Sequence, residues 1–321
     1  MTVTFAQIEP TTRCNFTCGF CAGRAMEQRD LDWAAFRAFL VAHPDLRHVE
    51  LQGEGEPLLH PRFFDMLAAC KARGVRVSLI TNGSLLSPER IERLLGAGVG
   101  SIHVSIESAD PARFQAIRGG KFQKVKDGLA LLIARRRERG LAEPLVGLAV
   151  TVLKSTIAGL DEVARLYLEL GLDGGVVAQQ LQPMPVYSRH YDAAMAGEML
   201  GAEEMQKFIT LRTAIARHMP VPRADGFFYY ALFEGFDARR DTCPWLARGA
   251  YLDAGGGITG CCFMKDEADA THDPAAAAAR RAALRDTLEQ GEVPAACAGC
   301  GTAESIALNR RAQPSLRAVP K

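Results

Sequence analysis

Residues 75–83 have the sequence VRVSLITNG, a β-branched run that ends in an Asn-Gly turn. Such a run predicts a buried strand, and Ser87-Pro88 after the turn predicts the start of a helix. The same alternation recurs along the first half of the chain. The predicted strands are 4–8, 48–52, 75–81, 101–106, 145–152 and 175–182. Six strand–helix units predict an α/β fold with a parallel sheet. Because a closed barrel needs eight units, we expect a partial (β/α)6 TIM-like barrel.

Composition narrows the range of partners. The chain has 321 residues, of which 48% are hydrophobic and 23% charged, with a formal net charge of +1. This balance gives no indication of nucleic-acid binding. No apolar run is long enough to span a membrane, and the first residues, MTVTFAQIEP, lack the features of a signal peptide. We therefore expect a cytoplasmic protein with neither nucleic acid nor membrane as a partner, in a compartment that keeps thiols reduced.

Eight of the nine cysteines fall into two groups near the chain ends. In a reducing compartment, clustered cysteines indicate metal binding or catalysis, whereas the isolated Cys70 is predicted to be a buried small hydrophobe. The first group, Cys14, Cys18 and Cys21, has the spacing CxxxCxxC. A structural zinc site needs four protein ligands, but three thiolates on a four-iron cluster leave one iron open. A zinc knuckle with a distant fourth ligand is the alternative.

This spacing, with Phe20 directly before the third cysteine, resembles the motif of radical S-adenosylmethionine (SAM) enzymes. The resemblance implies that Cys14, Cys18 and Cys21 are catalytic and hold a [4Fe-4S] cluster whose open iron is chelated by SAM. One electron then splits SAM into methionine and a 5′-deoxyadenosyl radical, which abstracts a hydrogen atom from the substrate. It also implies a reductant partner such as flavodoxin or ferredoxin.

Polar segments at the predicted strand ends resemble the SAM-binding motifs of that family. Gly53–Pro57 resembles the GGE motif, which implies that Gly55 and Glu56 contact the SAM amino group. Thr81-Asn82-Gly83 resembles the TNG motif. The full set of implied SAM contacts is Phe20, Gly55, Glu56, Thr81, Asn82, Ser105, Glu107 and Gln182. A strand-end cap is the alternative for Ser105. Arg118 is either a contact of SAM or substrate, or an exposed surface residue.

The second cysteine group suits either zinc or another iron–sulfur cluster. The spacing from Gly256 to Cys261 is similar to that in the SPASM extension of radical SAM enzymes. Because few residues follow Cys300, we expect the truncated form of this extension, called Twitch. On that resemblance, a second, auxiliary [4Fe-4S] cluster is ligated by Cys243, Cys261, Cys297 and Cys300. Cys262 is then a neighbour or an alternate ligand.

These patterns divide the chain into three predicted parts. Residues 1–186 form the barrel, 187–242 a helical and aromatic insert, and 243–321 a small cysteine-rich Twitch/SPASM-like domain. Candidate substrate contacts in the insert are Tyr187, Arg189, His190, Tyr191 and Phe227–Tyr230. Packing in the core is the alternative for these aromatic residues.

The expected reaction follows from the second redox centre. Hydrogen abstraction leaves a substrate radical, and a nearby cluster that accepts its electron favours net oxidation over isomerisation. Because the chain begins almost directly at the first strand, we expect a small sugar-like or aminocyclitol-type metabolite as substrate. Modification of a peptide or protein side chain, as in RiPP or sulfatase maturases, is the first alternative. A non-catalytic iron–sulfur or zinc scaffold, or an electron-transfer protein, is the second.

Overall fold

The computed structural model describes residues 2–218, 232–265 and 269–312. Its eight-stranded sheet has the order β6-β5-β4-β3-β2-β1-β7-β8, and every neighbouring pair is parallel except β7 and β8. The strands are β1 (Phe5–Ile8), β2 (His48–Leu51), β3 (Arg76–Thr81), β4 (Ser101–Ser105), β5 (Leu145–Val152), β6 (Val176–Gln180), β7 (Gly249–Leu252) and β8 (Ile258–Thr259).

Helices connect consecutive parallel strands. The α-helices of the described residues are α1 (Trp33–Ala42), α2 (Phe63–Ala72), α3 (Pro88–Ala97), α4 (Pro111–Arg118), α5 (Phe122–Glu138), α6 (Leu160–Glu169), α7 (Pro185–Ser188), α8 (Ala193–Ala196), α9 (Ala202–His218), α10 (Pro244–Arg248), α11 (Pro274–Glu289) and α12 (Gly301–Ala312). As predicted, Ser87 caps α3 by accepting a hydrogen bond from the Arg90 backbone N–H. No helix of the described residues is long and apolar enough to cross a membrane.

The six predicted strand–helix units are confirmed, and the structure adds two features. Between β4 and β5 the chain forms two helices, α4 and α5, because Gly119 adopts a φ of +71° and ends α4. Strand β7, which the sequence analysis missed, pairs in parallel with β1. The sheet therefore continues into residues 243–321. The division into three parts stays a prediction, but the sheet includes strands of both the first and the third part.

The two faces of the sheet differ in polarity. One face packs into the main hydrophobic core through Ala6, Val49, Val77 and Ile102. Side chains alternate along a strand, so the residue directly before or after each of these four lies on the opposite face. These register-matched neighbours are the buried polar residues Gln7, Glu50, Ser78 and Ser101. A buried polar row therefore crosses four strands where a packed barrel has aliphatic side chains.

Glu50 is the acidic residue of this polar row. Its side chain is fully buried, and neither carboxyl oxygen has a hydrogen-bond partner among the described residues. Burial raises the pKa of Glu50 to about 8, because a charged carboxylate loses its hydration there. The folded protein therefore keeps this carboxyl group protonated at neutral pH.

Glu50 predicts a pH-dependent stability of the apo-protein. Above its ordinary pKa the unfolded chain releases this proton while the folded chain retains it, so stability falls as the pH rises towards 8 and then levels off. The contribution is on the order of 1.4 kcal/mol per pH unit. In Glu50→Gln we expect a flatter dependence of the free energy of unfolding, measured by urea denaturation at pH 5, 7 and 9. Glu203→Gln, on an exposed helix surface, is the control. An unchanged pH dependence in Glu50→Gln would contradict this assignment.

Candidate active site

The loop after β1 contains the first cysteine group, and three other segments reach its thiols. Asn82, just after β3, places its side-chain amide 3.8 Å from Cys14 Sγ. Arg118, at the end of α4, places Nη1 3.7 Å from Cys18 Sγ. The backbone oxygen of Glu54, which follows β2, lies 3.3 Å from Cys21 Sγ. The parallel sheet thus brings the ends of three strand–helix units to one loop.

The thiols are a suitable donor set for iron. Burial raises the pKa of Cys18 to about 11 and that of Cys21 well above its ordinary value. A neutral thiol must ionise to bind a metal, and the charge of the metal itself drives that ionisation. The number of thiols in this loop, three, equals the number of protein ligands of a four-iron cluster in which one iron stays open.

Glu56 holds the turn that follows β3. Its buried carboxylate accepts hydrogen bonds from the Thr81 hydroxyl at 2.7 Å, from the Asn82 backbone N–H at 2.7 Å and from the Leu58 backbone N–H at 3.1 Å. Because a carboxylate has about four acceptor positions, one remains for the SAM amino group. The contact of Glu56 with SAM stays a prediction, while its support of the Thr81–Asn82 turn is a finding.

A closed ring of hydrogen bonds ties this turn to the cysteine loop. The Asn82 amide donates to Asn15 Oδ1 at 3.0 Å, and the Asn15 amide donates to the Ser84 hydroxyl at 2.8 Å. Ser84 in turn donates to Asn82 Oδ1 at 2.7 Å. Asn82 was predicted as a site residue, whereas Asn15 and Ser84, which lie next to Cys14 and Gly83 in the same motifs, were not.

Glu107 and Arg118 form a buried ion pair beside Cys18. One edge of the guanidinium group, Nε and Nη2 of Arg118, donates to the two carboxylate oxygens of Glu107, and the Phe20 ring centroid lies 5.8 Å from the guanidinium carbon. Arg118 is only 6% exposed, so the alternative of an exposed surface arginine is wrong. Glu107 thus orients this arginine, and its predicted contact with SAM stays a prediction. Glu107 leaves Nη1 of Arg118 directed towards the thiol.

The other implied SAM contacts lie at the same edge of the sheet. Ser105 is the last residue of β4 and is half-buried. The Gln182 side chain donates to the Gln180 carbonyl at 3.4 Å. Neither arrangement tests a contact with SAM, so both roles stay predictions.

Two glycines let the surrounding backbone approach the cysteine loop. A Cβ atom at Gly55 would lie 2.2 Å from the Thr11 carbonyl oxygen, and one at Gly120 would lie 2.2 Å from the Phe16 ring. Both distances are far below van der Waals contact. The absence of a side chain at these positions is therefore required for the loop to pack as it does.

The second cysteine group comes together from three parts of the C-terminal region. Cys243 precedes α10, Cys261 follows β8, and Cys297 and Cys300 precede α12. Burial and then the charge of Cys261 raise the pKa of Cys243 and of Cys297 to about 12, which reflects the proximity of these thiols. Cys300 also experiences the charge of Cys261. All four predicted ligands of the auxiliary cluster are thus within electrostatic range of one another.

Cys262 and Cys70 have different surroundings from those four. Cys262 is buried in a hydrophobic cluster with Trp245 and Tyr251, and its side chain contacts that of Cys261. Cys70 is fully buried in the main core, as predicted. Across the described ranges, no three or more His, Cys, Asp or Glu side chains form a group suited to a single metal ion.

The insert places two tyrosines near the first cysteine group. Burial, followed by the charges of Glu54 and Cys21, raises the pKa of Tyr191. Tyr187 packs edge-to-face on Phe263, with ring centroids 6.0 Å apart. Of the other candidate substrate contacts, Arg189 and His190 are exposed, and Phe227–Tyr230 lie outside the described residues.

A buried charge cluster that the sequence analysis missed joins the two cysteine groups. Lys265, four residues after Cys261, forms an ion pair with Glu54, whose own carboxylate lies 3.4 Å from Cys21 Sγ. The Glu54 backbone N–H donates to Glu9 Oε1 at 2.6 Å. Although burial alone would raise it, the pKa of Glu54 is lowered, because the charge of Lys265 favours the carboxylate.

Comparison with known families shows which superfamily this chain belongs to. The model of the radical SAM superfamily matches residues 8–173. This chain belongs to the radical SAM superfamily. A radical SAM chain binds a [4Fe-4S] cluster and SAM, which agrees with the thiol trio and the strand-end motifs.

Curated relatives match part of this radical SAM chain. The cofactor-modifying protein of the tungsten-containing aldehyde ferredoxin oxidoreductase from Pyrococcus furiosus is 32% identical over 191 residues, 56% of this chain and 52% of the relative. GTP 3',8-cyclase from Chlorobaculum tepidum is 26% identical over 212 residues, 64% of this chain and 61% of the relative. The matches therefore span only about half to three-fifths of these relatives.

Among solved structures, SuiB from Streptococcus suis bound to its precursor peptide SuiA has the same fold. The TM-score is 0.65 at 16% sequence identity, covering 83% of this chain and 61% of SuiB. This similarity supports the partial barrel of a radical SAM enzyme and, at that identity, concerns the fold alone.

Substitution of Gly55 tests the packing of the cysteine loop. In Gly55→Ala the new methyl group overlaps the Thr11 carbonyl, so we expect the free energy of unfolding to fall by about 1–3 kcal/mol. We also expect less iron per chain after anaerobic reconstitution, measured by elemental analysis. Gly96→Ala is the matched control, because a Cβ atom there meets nothing within 4 Å. Wild-type iron content and stability in Gly55→Ala would refute the close packing.

Proposed function

We propose that this protein is a radical SAM oxidoreductase that oxidises a small sugar-like or aminocyclitol-type metabolite, with Cys14, Cys18 and Cys21 as the ligands of its SAM-binding cluster. The observation that supports this most is the convergence of Asn82, Arg118 and the Glu54 backbone on the three thiols. Segments from three strand–helix units are fixed around one loop, as a reaction centre requires.

The residues around the thiols have distinct roles in the proposed reaction. When bound, the cluster supplies the electron that cleaves SAM. Arg118 is oriented by Glu107 and presents a fixed positive charge beside Cys18, suited to the SAM carboxylate. Glu56 has an acceptor position left for the SAM amino group. Tyr191 is within electrostatic range of Cys21, and its proposed role is to limit the access of water to that thiol.

The second cysteine group supports net oxidation. Conversion of an alcohol to a carbonyl removes two electrons and two protons. Cleaved SAM takes up one hydrogen atom, so one electron and one proton remain to be removed. We propose that Cys243, Cys261, Cys297 and Cys300 hold an auxiliary [4Fe-4S] cluster that accepts this electron, with solvent or a carboxylate taking the proton. The gathering of these four thiols supports this role.

The polar row inside the sheet supports a small polar substrate. Both oxygens of Glu50 and the hydroxyls of Ser78 and Ser101 have no hydrogen-bond partner among the described residues. Such groups suit a hydroxyl-rich compound or water, since buried polar atoms need partners. The relatives act on different kinds of compound, as the names of the GTP cyclase and of SuiB with its precursor peptide indicate. A peptide is therefore the alternative to a small-molecule substrate, and the labelled compounds tested below include peptides.

Replacement of the first cysteine group tests the radical SAM assignment. In Cys14→Ala/Cys18→Ala/Cys21→Ala we expect the formation of 5′-deoxyadenosine from SAM and dithionite to fall to the protein-free level, because no protein ligand of that cluster remains. The product is measured by chromatography after anaerobic reconstitution. Cys70→Ala, which also removes a cysteine, is the control and should retain cleavage. Persistent SAM cleavage in the triple variant would exclude these ligands.

Replacement of the second group tests the oxidation. In Cys297→Ala/Cys300→Ala we expect iron to fall from about eight to about four atoms per chain, with SAM cleavage retained and substrate oxidation lost. Deuterium transfer into 5′-deoxyadenosine from labelled aminocyclitols, sugars and peptides identifies the substrate class. Transfer from peptides alone would overturn the small-molecule proposal, and unchanged iron content would overturn the auxiliary cluster.

A further inference from the structure

Lys265 reaches the first cysteine group from the C-terminal region. Its side chain is 7% exposed and its ammonium contacts the carboxylate of Glu54, whose side chain is 12% exposed. The two residues are 211 positions apart in the chain. Because this ion pair is shielded from water, loss of one partner leaves an uncompensated buried charge, which is much more costly than breaking an ordinary surface pair.

Glu54, the partner of Lys265, also contacts the thiol of Cys21. Its Oε2 lies 3.4 Å from Cys21 Sγ, and its backbone oxygen lies 3.3 Å from the same sulfur. The Glu54 main chain is itself held by Glu9, and a Cβ atom at Gly23 would lie 2.6 Å from the Glu54 Cβ. The carboxylate therefore has little freedom to turn away from Cys21.

Further contacts hold Lys265 at this position. The ammonium lies 5.5 Å from the ring centroid of Tyr187 and 5.4 Å from that of Tyr251, within the range of cation–π attraction. The positive charge of Lys265 also interacts with the thiol of Cys261. The lysine is thus fixed between the two cysteine groups rather than extended from one of them.

We propose that Lys265 is a positioning residue of the SAM-binding site: it balances the charge of Glu54, holds that carboxylate against Cys21, and so sets the reduction potential of the cluster that Cys21 ligates. This inference rests on the proposed ligand role of Cys21. Hydrogen bonds and charges next to the sulfur ligands are among the factors that determine the potential of an iron–sulfur cluster. The C-terminal region thereby completes the first site as well as forming the second.

The sign of the effect follows from the charges. Without Lys265, an unbalanced carboxylate stays beside Cys21, disfavours added negative charge and makes the cluster harder to reduce. Without the charge of Glu54, the ammonium remains and the cluster becomes easier to reduce. When both charges are removed, the net charge of the pair is zero, as in the wild type. A lysine that merely stabilised the fold would not produce this pattern.

We would test this by potentiometry of the reconstituted full chain, monitored by electron paramagnetic resonance. The signal that changes on addition of SAM identifies the cluster concerned. We expect Lys265→Met to shift its potential to more negative values and Glu54→Gln to more positive values. Lys265→Met/Glu54→Gln and the charge-conserving Lys265→Arg should remain close to the wild type. Thermal unfolding of the apo-proteins should show Lys265→Met destabilised and the double variant restored.

Two results would overturn the inference. One is a wild-type potential in Glu54→Gln, which can be measured even where Lys265→Met does not fold. The other is a double variant whose potential is displaced as far as that of Lys265→Met. The cysteine variants separate this failure from that of the proposed function. Retention of the SAM-responsive cluster in Cys14→Ala/Cys18→Ala/Cys21→Ala refutes the ligand assignment, whereas its loss, combined with unshifted potentials in the charge variants, refutes the role of Lys265 alone.

Discussion

The loop that contains Cys14, Cys18 and Cys21 has to be held from outside, because only a short 3₁₀ turn, Ala22–Arg24, follows directly on its last cysteine. The hydrogen bonds that hold it come from the ends of β2, β3 and α4. The carboxyl ends of β2 and β3 lie at the same edge of the parallel sheet, and the contact of Arg118 with Cys18 places the end of α4 there as well. The sheet therefore determines the geometry of the thiols, although none of them belongs to a strand.

Buried negative charge is the second constraint on this site. Glu9, Glu54, Glu56 and Glu107 are all largely buried at the edge where the thiols lie. Arg118 and Lys265 each pair with one of these carboxylates. Backbone N–H groups and hydroxyls satisfy the others, as at Glu56. Ionised thiols add more negative charge, so the site is electrostatically suited to a positively charged iron centre and to a cationic cosubstrate.

The sequence predicted features that depend on neighbouring residues. The β-branched runs predicted the six strands, and Ser87-Pro88 predicted the start of α3. Strand β7 was missed because Gly249–Leu252 has four residues and lies directly after a short helix, with no alternation to mark it. The burial of Arg118 was left open, since it depends on a carboxylate from another element. The pair of Lys265 and Glu54 joins distant parts of the chain, so no local pattern could reveal it.

The C-terminal region and the barrel form one structural unit. Strand β7 pairs with β1 residue by residue, and Tyr251 extends the buried polar row of the sheet next to Gln7. The same tyrosine ring contacts the ammonium of Lys265, which pairs with Glu54 beside Cys21. Cys261 lies four residues before that lysine. The separation of the two cysteine groups is therefore determined by the pairing of β1 with β7 and by one buried ion pair.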